Sequence, residues 1–155
     1  MGSEMCIRDR DVDIVLPKRN TLSAGGFRGQ YQRCHPIVPF DLMIRAIERA
    51  DPDMACAATD YFERFEYAYW NNLFVTTYEL FAKYCDFAFN ILLQVSSELT
   101  NLGGVYQNRA CAFLSERLLN FWIFYNKLTV GEVDWCVTSS IQTQAEPHQV
   151  AVNIK

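Results

Sequence analysis

Three polar residues interrupt an apolar run: Ser115, Glu116 and Arg117 lie inside the stretch Phe113–Trp122. The apolar residues around them recur at helical spacing, which predicts a largely buried helix at residues 106–126. Burying a carboxylate and a guanidinium is costly unless each is paired or used in chemistry. The fold must therefore enclose this helix and also give its two charges partners.

The rest of the chain alternates strand and helix patterns, which predicts an α/β fold that is richer in helix than in strand. Short β-branched runs predict strands at Asp13–Leu16 and Leu73–Val75 and a closing pair at 129–130 and 133–137. Apolar periodicity predicts further helices at residues 40–50, 53–65 and 76–99. Thr76 and Glu79 form a capping box, so Thr76 is the expected N-cap. The glycine-rich stretch Lys18–Tyr31 is expected to be a functional loop.

Composition limits the class of function. The net charge of −4 and the lack of a basic run argue against nucleic-acid binding. No apolar stretch is long enough to span a membrane. Apart from Cys6, the cysteines are scattered and lack a C-x-x-C pair, which argues against a zinc site and a disulfide framework. Reduced cysteines that pack as small apolar residues are typical of a cytoplasmic protein.

Residues 1–10 stand apart from the rest of the sequence. Glu4–Arg10 looks like the translation of a transposon end used in sequencing libraries, so residues 1–10 are expected to be an artefact. A genuine N-terminal tail is the alternative. The expected division is then a partial domain at residues 11–138, with natural sequence before it missing, and a loosely ordered polar tail at residues 139–155.

Two motifs, taken together, resemble one family. They are Asp13–Lys18 (Asp-Ile-Val-Leu-Pro-Lys) and Phe113–Asn120 (Phe-Leu-Ser-Glu-Arg-Leu-Leu-Asn). Shorter matching pieces lie between them, at residues 31–35, 41–42, 69–75, 84–92 and 106–109. From about Asp11 to Leu128 the chain resembles the bacterial glycosyltransferase-like family catalogued as domain of unknown function number 4422.

The resemblance implies a nucleotide-sugar-dependent transferase of the GT-A superfamily that acts in capsule or lipopolysaccharide assembly. This chain would be the helix-rich C-terminal part of the α/β domain, without the first Rossmann-like strands that hold the nucleotide. The implied partners are a nucleotide-sugar donor and a glycan acceptor. The expected location is the cytoplasm, with peripheral membrane association as a further expectation. The chain alone is not expected to be active.

Glycosyl transfer needs a group that neutralises the leaving phosphate, and an inverting enzyme also needs a group that takes the proton of the acceptor hydroxyl. Glu116 is the first candidate for the proton acceptor or for an acceptor ligand. Arg117 and Arg109 are candidates for the phosphate, because a guanidinium binds two phosphate oxygens at once. A structural ion pair of Glu116 with Arg117 or Arg109 is an equally weighted alternative.

Polar residues outside this helix are further candidates. His35 is a candidate base or phosphate contact, and a loop histidine bonded to backbone is the alternative. Lys18 and Arg19 follow a strand end, where α/β sheets bind ligands, although a solvated pair fits equally well. Asn71 and Asn72 precede a strand and are candidates for sugar hydroxyls, or they form a turn.

Asp11 and Asp13 spell the D-x-D pattern that, in the resembled superfamily, binds a divalent cation such as Mn²⁺ or Mg²⁺. Carboxylate oxygens are the ligands that these ions prefer. The pattern occurs often by chance, and here it opens a strand rather than following one. The alternative is that Asp13 starts the strand and meets solvent or caps the backbone.

Aromatic residues between Tyr61 and Trp70 leave a different class of function open. They are able to stack on a sugar face, to pack in the core, or to form the surface by which a non-catalytic helical interaction module binds a partner. A folding-incompetent fragment with an open sheet edge is a third possibility. A cleft that gathers the polar candidates would favour the transferase; these are His35, Asn72, Arg109 and Glu116.

Overall fold

A short central strand organises a three-stranded sheet. A computed structural model of the chain describes residues 11–99 and 109–134. Strand β1 (Ile14–Pro17) pairs antiparallel with β4 (Val75–Thr76) on one side and parallel with β5 (Val130–Val133) on the other. Ile14, Val15 and Leu16 are all buried. The strand is therefore covered on both faces, which explains its continuous apolar run.

The closing segment, predicted as a pair of strands, forms one strand within the described residues. β5 pairs with β1 along its length, from Ile14 opposite Val130 to Pro17 opposite Val133. The prediction of a second strand beginning at Val133 was wrong, because Val133 bonds to the buried central strand as part of β5. Residues 135–137 of the expected second strand lie outside the described residues.

Five helices lie in the described residues: α1 (Gly26–Cys34), α2 (Val38–Ala50), α3 (Pro52–Arg64), α4 (Tyr78–Glu98) and α5 (Ala110–Tyr125). The helices predicted at residues 40–50, 53–65 and 76–99 are confirmed to within one turn. The α3 helix begins where Asp51 accepts hydrogen bonds from the amides of Asp53 and Met54. The predicted start of the last helix at Tyr106 lies outside the described residues.

The stretch Lys18–Tyr31, predicted as a loop, contains a strand and most of a helix. Strand β2 (Asn20–Thr21) pairs antiparallel with β3 (Tyr67–Ala68), and α1 begins at Gly26. Gly26 has φ +57, and a Cβ there would lie 2.5 Å from the Phe62 carbonyl oxygen. Glycine is therefore needed for the close approach of α1 to α3. Burial of Phe27 and Tyr31 on the inner face of α1 outweighs the low helix propensity of the glycines.

The start of α4 differs by one residue from the predicted capping box. Thr77 is the N-cap, and its hydroxyl accepts a hydrogen bond from the Leu80 amide at 3.4 Å. The Thr76 hydroxyl instead donates to the Asp13 carbonyl at 2.7 Å. The prediction that Thr76 caps the helix was wrong, because Thr76 belongs to β4 and its side chain bonds that edge strand to the residue before β1.

The α5 helix runs through the middle of the helical layer. Its residues from Arg117 to Ile123 are all buried, and Phe121 packs against aromatic rings of α3 and α4. A helix enclosed on nearly every side has no solvent-facing stripe on which Arg117 could lie. Among residues 11–99 and 109–134, no helix combines the length and apolarity needed to cross a membrane.

Candidate functional site

The Arg117 side chain is the centre of a buried polar cluster. Arg117 is 2% exposed. Its Nη1 donates to the Phe113 carbonyl at 2.6 Å, and its Nη2 donates to Gln30 Oε1 at 2.6 Å. The guanidinium lies over the Trp70 ring at 4.8 Å. Burial lowers the pKa of Arg117, and the nearby Glu116 carboxylate opposes this. The side chain joins α5 to α1 and is enclosed, so it is not placed to meet a diphosphate.

Glu116 forms the ion pair that the sequence left as an alternative. Its Oε2 lies 2.8 Å from Arg117 Nη1. The Glu116 side chain is 22% exposed, against 3% for its partner. Protonating this carboxylate would leave a buried guanidinium without its counter-charge, which is costly. The pair therefore serves the packing of α5, and a role for Glu116 as the base stays a prediction.

His35 and Arg109 lie against the same ring. The His35 imidazole stacks on Phe113 with centroids 4.2 Å apart, and Arg109 Cζ lies 5.8 Å from the centroid of that ring. His35 is buried at the end of α1, and Arg109 is exposed at the start of α5. Burial, and then the charge of Arg117, lower the pKa of His35. The structure thus brings these two predicted residues together with the Arg117 cluster.

Asn71 and Asn72 form a turn. Both have positive φ, at 73° and 49°, a backbone conformation that asparagine tolerates better than most residues. Asn72 Nδ2 donates to Ser115 Oγ at 2.8 Å, which joins the turn to α5 next to Glu116. Asn71 is exposed. The turn interpretation is what the structure displays, and contact with a sugar stays a prediction for both residues.

Lys18 and Asp13 lie at opposite ends of β1. Lys18 Nζ pairs with Asp134 at 2.7 Å, both side chains are well exposed, and the pKa of Lys18 is raised by this partner. Asp13 Oδ2 accepts a hydrogen bond from the Thr129 amide at 2.7 Å. The carboxylate of Asp13 therefore caps the start of β5. No three His, Cys, Asp or Glu side chains of the described residues lie close enough together to hold a metal ion, and a divalent cation stays a prediction.

A cavity of about 690 Å³ opens beside the paired strands β1 and β5, next to the two-stranded β2–β3 sheet. We name it the edge cavity. Its polar lining consists of Arg19, Tyr67, Tyr69, Asn120, Lys127 and Glu132. Its apolar lining consists of Tyr61, Phe65, Ile123, Phe124, Leu128 and Val130. Arg19 follows the carboxyl end of β1, which is the edge at which α/β sheets bind ligands.

Glu132 is the polar centre of the edge cavity. Its Oε1 accepts a hydrogen bond from the Tyr69 hydroxyl at 2.8 Å and lies 3.4 Å from Arg19 Nε. The Arg19 guanidinium also lies 4.9 Å over the Tyr67 ring. Burial, and then the bond to Glu132, raise the pKa of Tyr69 to about 12. The hydroxyl therefore stays protonated at neutral pH and holds the carboxylate in one orientation.

Asn120 links the edge cavity to the Arg117 cluster. Its Nδ2 donates to the Glu116 carbonyl and to the Tyr69 carbonyl, both at 2.7 Å. Tyr69 is followed by Trp70, whose ring lies under Arg117. The segment Tyr69–Trp70 is therefore fixed from two sides by residues one helical turn apart on α5.

The sequence did not single out Glu132, Asn120 or Lys127 as site residues. Asn120 carried a usable signal, since it is a fourth polar residue on the buried helix and buried amides are hydrogen-bonded. Glu132 carried none, because its neighbours in the fold come from distant parts of the chain. Arg19, a candidate from the sequence, and Tyr69, one of the aromatic residues between Tyr61 and Trp70, both line the edge cavity.

This chain matches one known protein family over most of its length. The family model described as "Domain of unknown function (DUF4422)" matches residues 3–127, which is most of the sequence. The chain belongs to this family. The stretch that matches DUF4422 includes Arg19, Tyr69 and Asn120 of the edge cavity, and Glu132 follows it.

The DUF4422 chain also shares its fold with a solved structure, the apo structure of the bifunctional glycosyltransferase WbbM. The TM-score is 0.74 at 23% sequence identity, and the match covers 80% of this chain and 23% of the WbbM chain. This DUF4422 chain therefore spans under a quarter of that protein's length. No curated protein sequence matches it. The expectation of a helix-rich α/β fold is confirmed.

Proposed function

We propose that this chain is part of a glycosyltransferase that moves a sugar from a nucleotide-sugar donor to a growing capsular or lipopolysaccharide glycan. The edge cavity carries the proposal. It sets a carboxylate, a phenol hydroxyl and exposed aromatic rings beside a parallel strand pair, where α/β folds bind ligands. The fold shared with WbbM supports the same class, with this chain as the helix-rich C-terminal part of a GT-A domain.

Within this proposal, Glu132 is the better candidate for the group that takes the proton of the acceptor hydroxyl. Its carboxylate lines the cavity, accepts a bond from the Tyr69 hydroxyl and lies 3.4 Å from the exposed Arg19, so its protonation leaves no buried charge unpaired. Glu116, by contrast, is tied to a buried guanidinium that its protonation would leave unpaired. A general base must form a hydrogen bond to the acceptor hydroxyl whose proton it takes, and a carboxylate in the wall of a cavity is accessible to that hydroxyl.

Arg109 is the better candidate for a contact with the leaving phosphate. It is exposed at the first turn of α5, whereas Arg117 is enclosed. Burial and the charge of Arg117 lower the pKa of the neighbouring His35, which favours its neutral imidazole, and His35 stays a candidate base in this proposal. Lys18 remains a candidate phosphate contact at the carboxyl end of β1.

The proposed reaction takes place in the cytoplasm, with peripheral association with a membrane where the acceptor is lipid-linked. The cysteines of the described residues support a reducing compartment. Cys34, Cys56, Cys85 and Cys111 are all free thiols. Disulfides are rare in reducing compartments and common in secreted proteins.

A transfer assay on the full-length product of this gene tests the proposal. The protein is incubated with a panel of nucleotide sugars and glycan acceptors, and released nucleoside diphosphate and extended glycan are measured by mass spectrometry. Glu132→Gln is expected to lower kcat by about a hundredfold or more, the usual contribution of a general base. Glu48→Gln, on the exposed side of α2, is the matched control and leaves kcat unchanged.

Two results would count against this reading in different ways. A folded full-length protein that transfers no sugar from any donor would remove the glycosyltransferase proposal. Transfer that is lost in Glu116→Gln and retained in Glu132→Gln would return the role of base to Glu116. A thermal unfolding curve of each variant separates loss of chemistry from loss of the fold.

A non-catalytic interaction module is the second candidate function, and one observation favours it. Phe81, Phe89 and Leu93 on α4 are 46%, 58% and 68% exposed beside an apolar groove of about 520 Å³. Large exposed apolar patches mark interaction sites. The aromatic surface predicted between Tyr61 and Trp70 is only partly available, because Tyr61 and Phe62 are buried.

A further inference from the structure

We propose that the edge cavity is the acceptor site of the proposed transferase and that it binds an uncharged pyranose ring of a glycan rather than the nucleotide of the donor. The inference rests on the proposed function and names the substrate class of its central site. Three features carry it: the exposed aromatic wall, the hydrogen-bonding groups within reach of that wall, and the electrostatic character of the lining.

The aromatic wall is partly exposed to solvent. Phe65, Tyr67 and Phe124 are 36%, 41% and 46% exposed, although each lines a concave surface. Phe65 and Phe124 are backed by the buried ring of Tyr61, at centroid distances of 4.4 and 4.7 Å. A rigid, exposed aromatic face matches the apolar C–H face of a pyranose ring, which a flexible aliphatic side chain does not.

The polar groups suit hydroxyl ligands. A sugar hydroxyl both donates and accepts hydrogen bonds, and an ionised carboxylate is the strongest acceptor available to it. Glu132 supplies that carboxylate and is held by the Tyr69 hydroxyl and by Arg19. The cavity volume of about 690 Å³ lies within the range of small-ligand sites, which leaves space for one ring and part of its neighbour.

The electrostatic character disfavours a diphosphate. Glu132 repels it, and the Arg19 charge is already shared between Glu132 and the Tyr67 ring. The α5 helix ends at Tyr125, so Phe124 and Lys127 lie at a helix C-terminus, where the helix dipole carries partial negative charge. Lys127 is the remaining cation of this lining, and it is exposed. Phosphates bind at helix N-termini and cation clusters, whereas this cavity has a helix C-terminus and a carboxylate in its lining.

Binding measurements on this chain test the inference. Isothermal titration calorimetry with four neutral tetrasaccharides, built from glucose, galactose, mannose and N-acetylglucosamine, is compared with titrations of UDP, GDP and CMP. At least one tetrasaccharide is expected to bind, and the three nucleotides are expected neither to bind nor to displace it. Phe124→Ala is expected to weaken tetrasaccharide binding about tenfold, whereas Phe124→Tyr, which keeps the ring, retains it.

Phe89→Ala is the matched control. Phe89 is a more exposed phenylalanine on α4, lines the other groove and should leave the titration unchanged. Glu132→Gln is the second test variant, because it keeps the shape of the side chain and weakens binding if the carboxylate accepts from a hydroxyl. No binding of any tetrasaccharide, displacement by a nucleotide, or equal binding by wild type and Phe124→Ala would each overturn the inference.

The inference and the proposed function fail separately. If the full-length protein transfers sugar and Phe124→Ala leaves the acceptor KM unchanged, the glycosyltransferase stands and the acceptor site lies elsewhere. If a tetrasaccharide binds the cavity but the full-length protein transfers nothing, the cavity is a glycan site and the transferase proposal fails.

Discussion

Asn120 holds the backbone of Tyr69 by both ends of its amide. The Tyr69 amide donates to Asn120 Oδ1 and the Asn120 Nδ2 donates to the Tyr69 carbonyl, each at 2.7 Å. Asn120 is 3% exposed, so water does not compete for these bonds. The pairing imitates the bonds of a neighbouring strand, made here by one side chain. It fixes the Tyr69 backbone and so helps to position the hydroxyl that donates to Glu132.

Asn120→Asp is expected to lower the free energy of unfolding by about 2–4 kcal/mol, because two donor bonds are replaced by contacts between oxygen atoms in a buried site. Urea unfolding measures the change. Asn90→Asp, on an exposed position of α4, is the matched control and should fall within about 0.5 kcal/mol of wild type. If Asn120→Asp lowers the free energy of unfolding by less than about 0.5 kcal/mol, the Asn120 amide does not hold Tyr69.

Arg117→Met is expected to cost about 3–5 kcal/mol, because it leaves Gln30 and Glu116 without their buried partner. Glu116→Gln in the same chain removes the stranded charge, so the double variant should be more stable than the sum of the single changes predicts. A double-mutant cycle by urea unfolding measures this coupling. Strict additivity would mean that the 2.8 Å pair contributes nothing to the packing of α5.

Gly26→Ala is expected to destabilise the chain by about 2 kcal/mol or more. The new Cβ meets the Phe62 carbonyl at 2.5 Å, and φ is +57, a region that costs L-residues about 1–2 kcal/mol. Gly131→Ala is the control, since its Cβ would make ordinary contacts at 3.4–3.6 Å with valine side chains. Equal unfolding midpoints for the two variants would contradict the close packing of α1 on α3.

The pKa of Tyr69 provides a pH-dependent test of the edge cavity. Burial and the bond to Glu132 raise it from the ordinary value of 10.0 to about 12, so the fold favours the neutral phenol. The resulting stabilisation is complete below about pH 10 and is lost as the pH rises through about 12, because the unfolded chain releases this proton first.

Glu132→Gln removes the second cause of the shift, so the pKa of Tyr69 should fall toward 10.0, while burial keeps it above that value. Ultraviolet titration of the phenolates, with Tyr69→Phe to identify the signal, measures the fall. Tyr31, whose pKa burial raises to about 12, has no contact with Glu132 and serves as an internal reference. An unchanged titration in Glu132→Gln would show that the bond is absent in solution.

The sequence predicted the helices and strands that depend on residues close together in the chain. The apolar run at Ile14, the proline-ended helix before Asp51 and the amphipathic helix after Thr77 all follow from spacing and punctuation residues. The buried ion pair of Glu116 and Arg117 was also foreseeable as one of two alternatives, because a charge on an enclosed helix needs a partner.

Long-range packing decided the features that the sequence did not predict. The α1 helix begins at glycines because a tertiary contact with Phe62 requires them, and propensity alone indicates a loop. Glu132 meets Tyr69 across 63 residues of sequence, a distance at which no spacing rule operates. Thr76 lies in the sheet rather than at the start of the helix, and its hydroxyl bonds to the carbonyl of Asp13, which is also distant in sequence.

The parallel pairing of β1 with β5 joins segments 116 residues apart, as the bond between Asp13 and Thr129 shows. Closing so large a loop carries an entropic cost, which the contacts of β5 with the rest of the fold must offset. The edge cavity, whose Glu132 is carried by β5, is therefore complete only when this long-range pairing is formed. A ligand that binds the cavity stabilises the paired form of β5 by mass action.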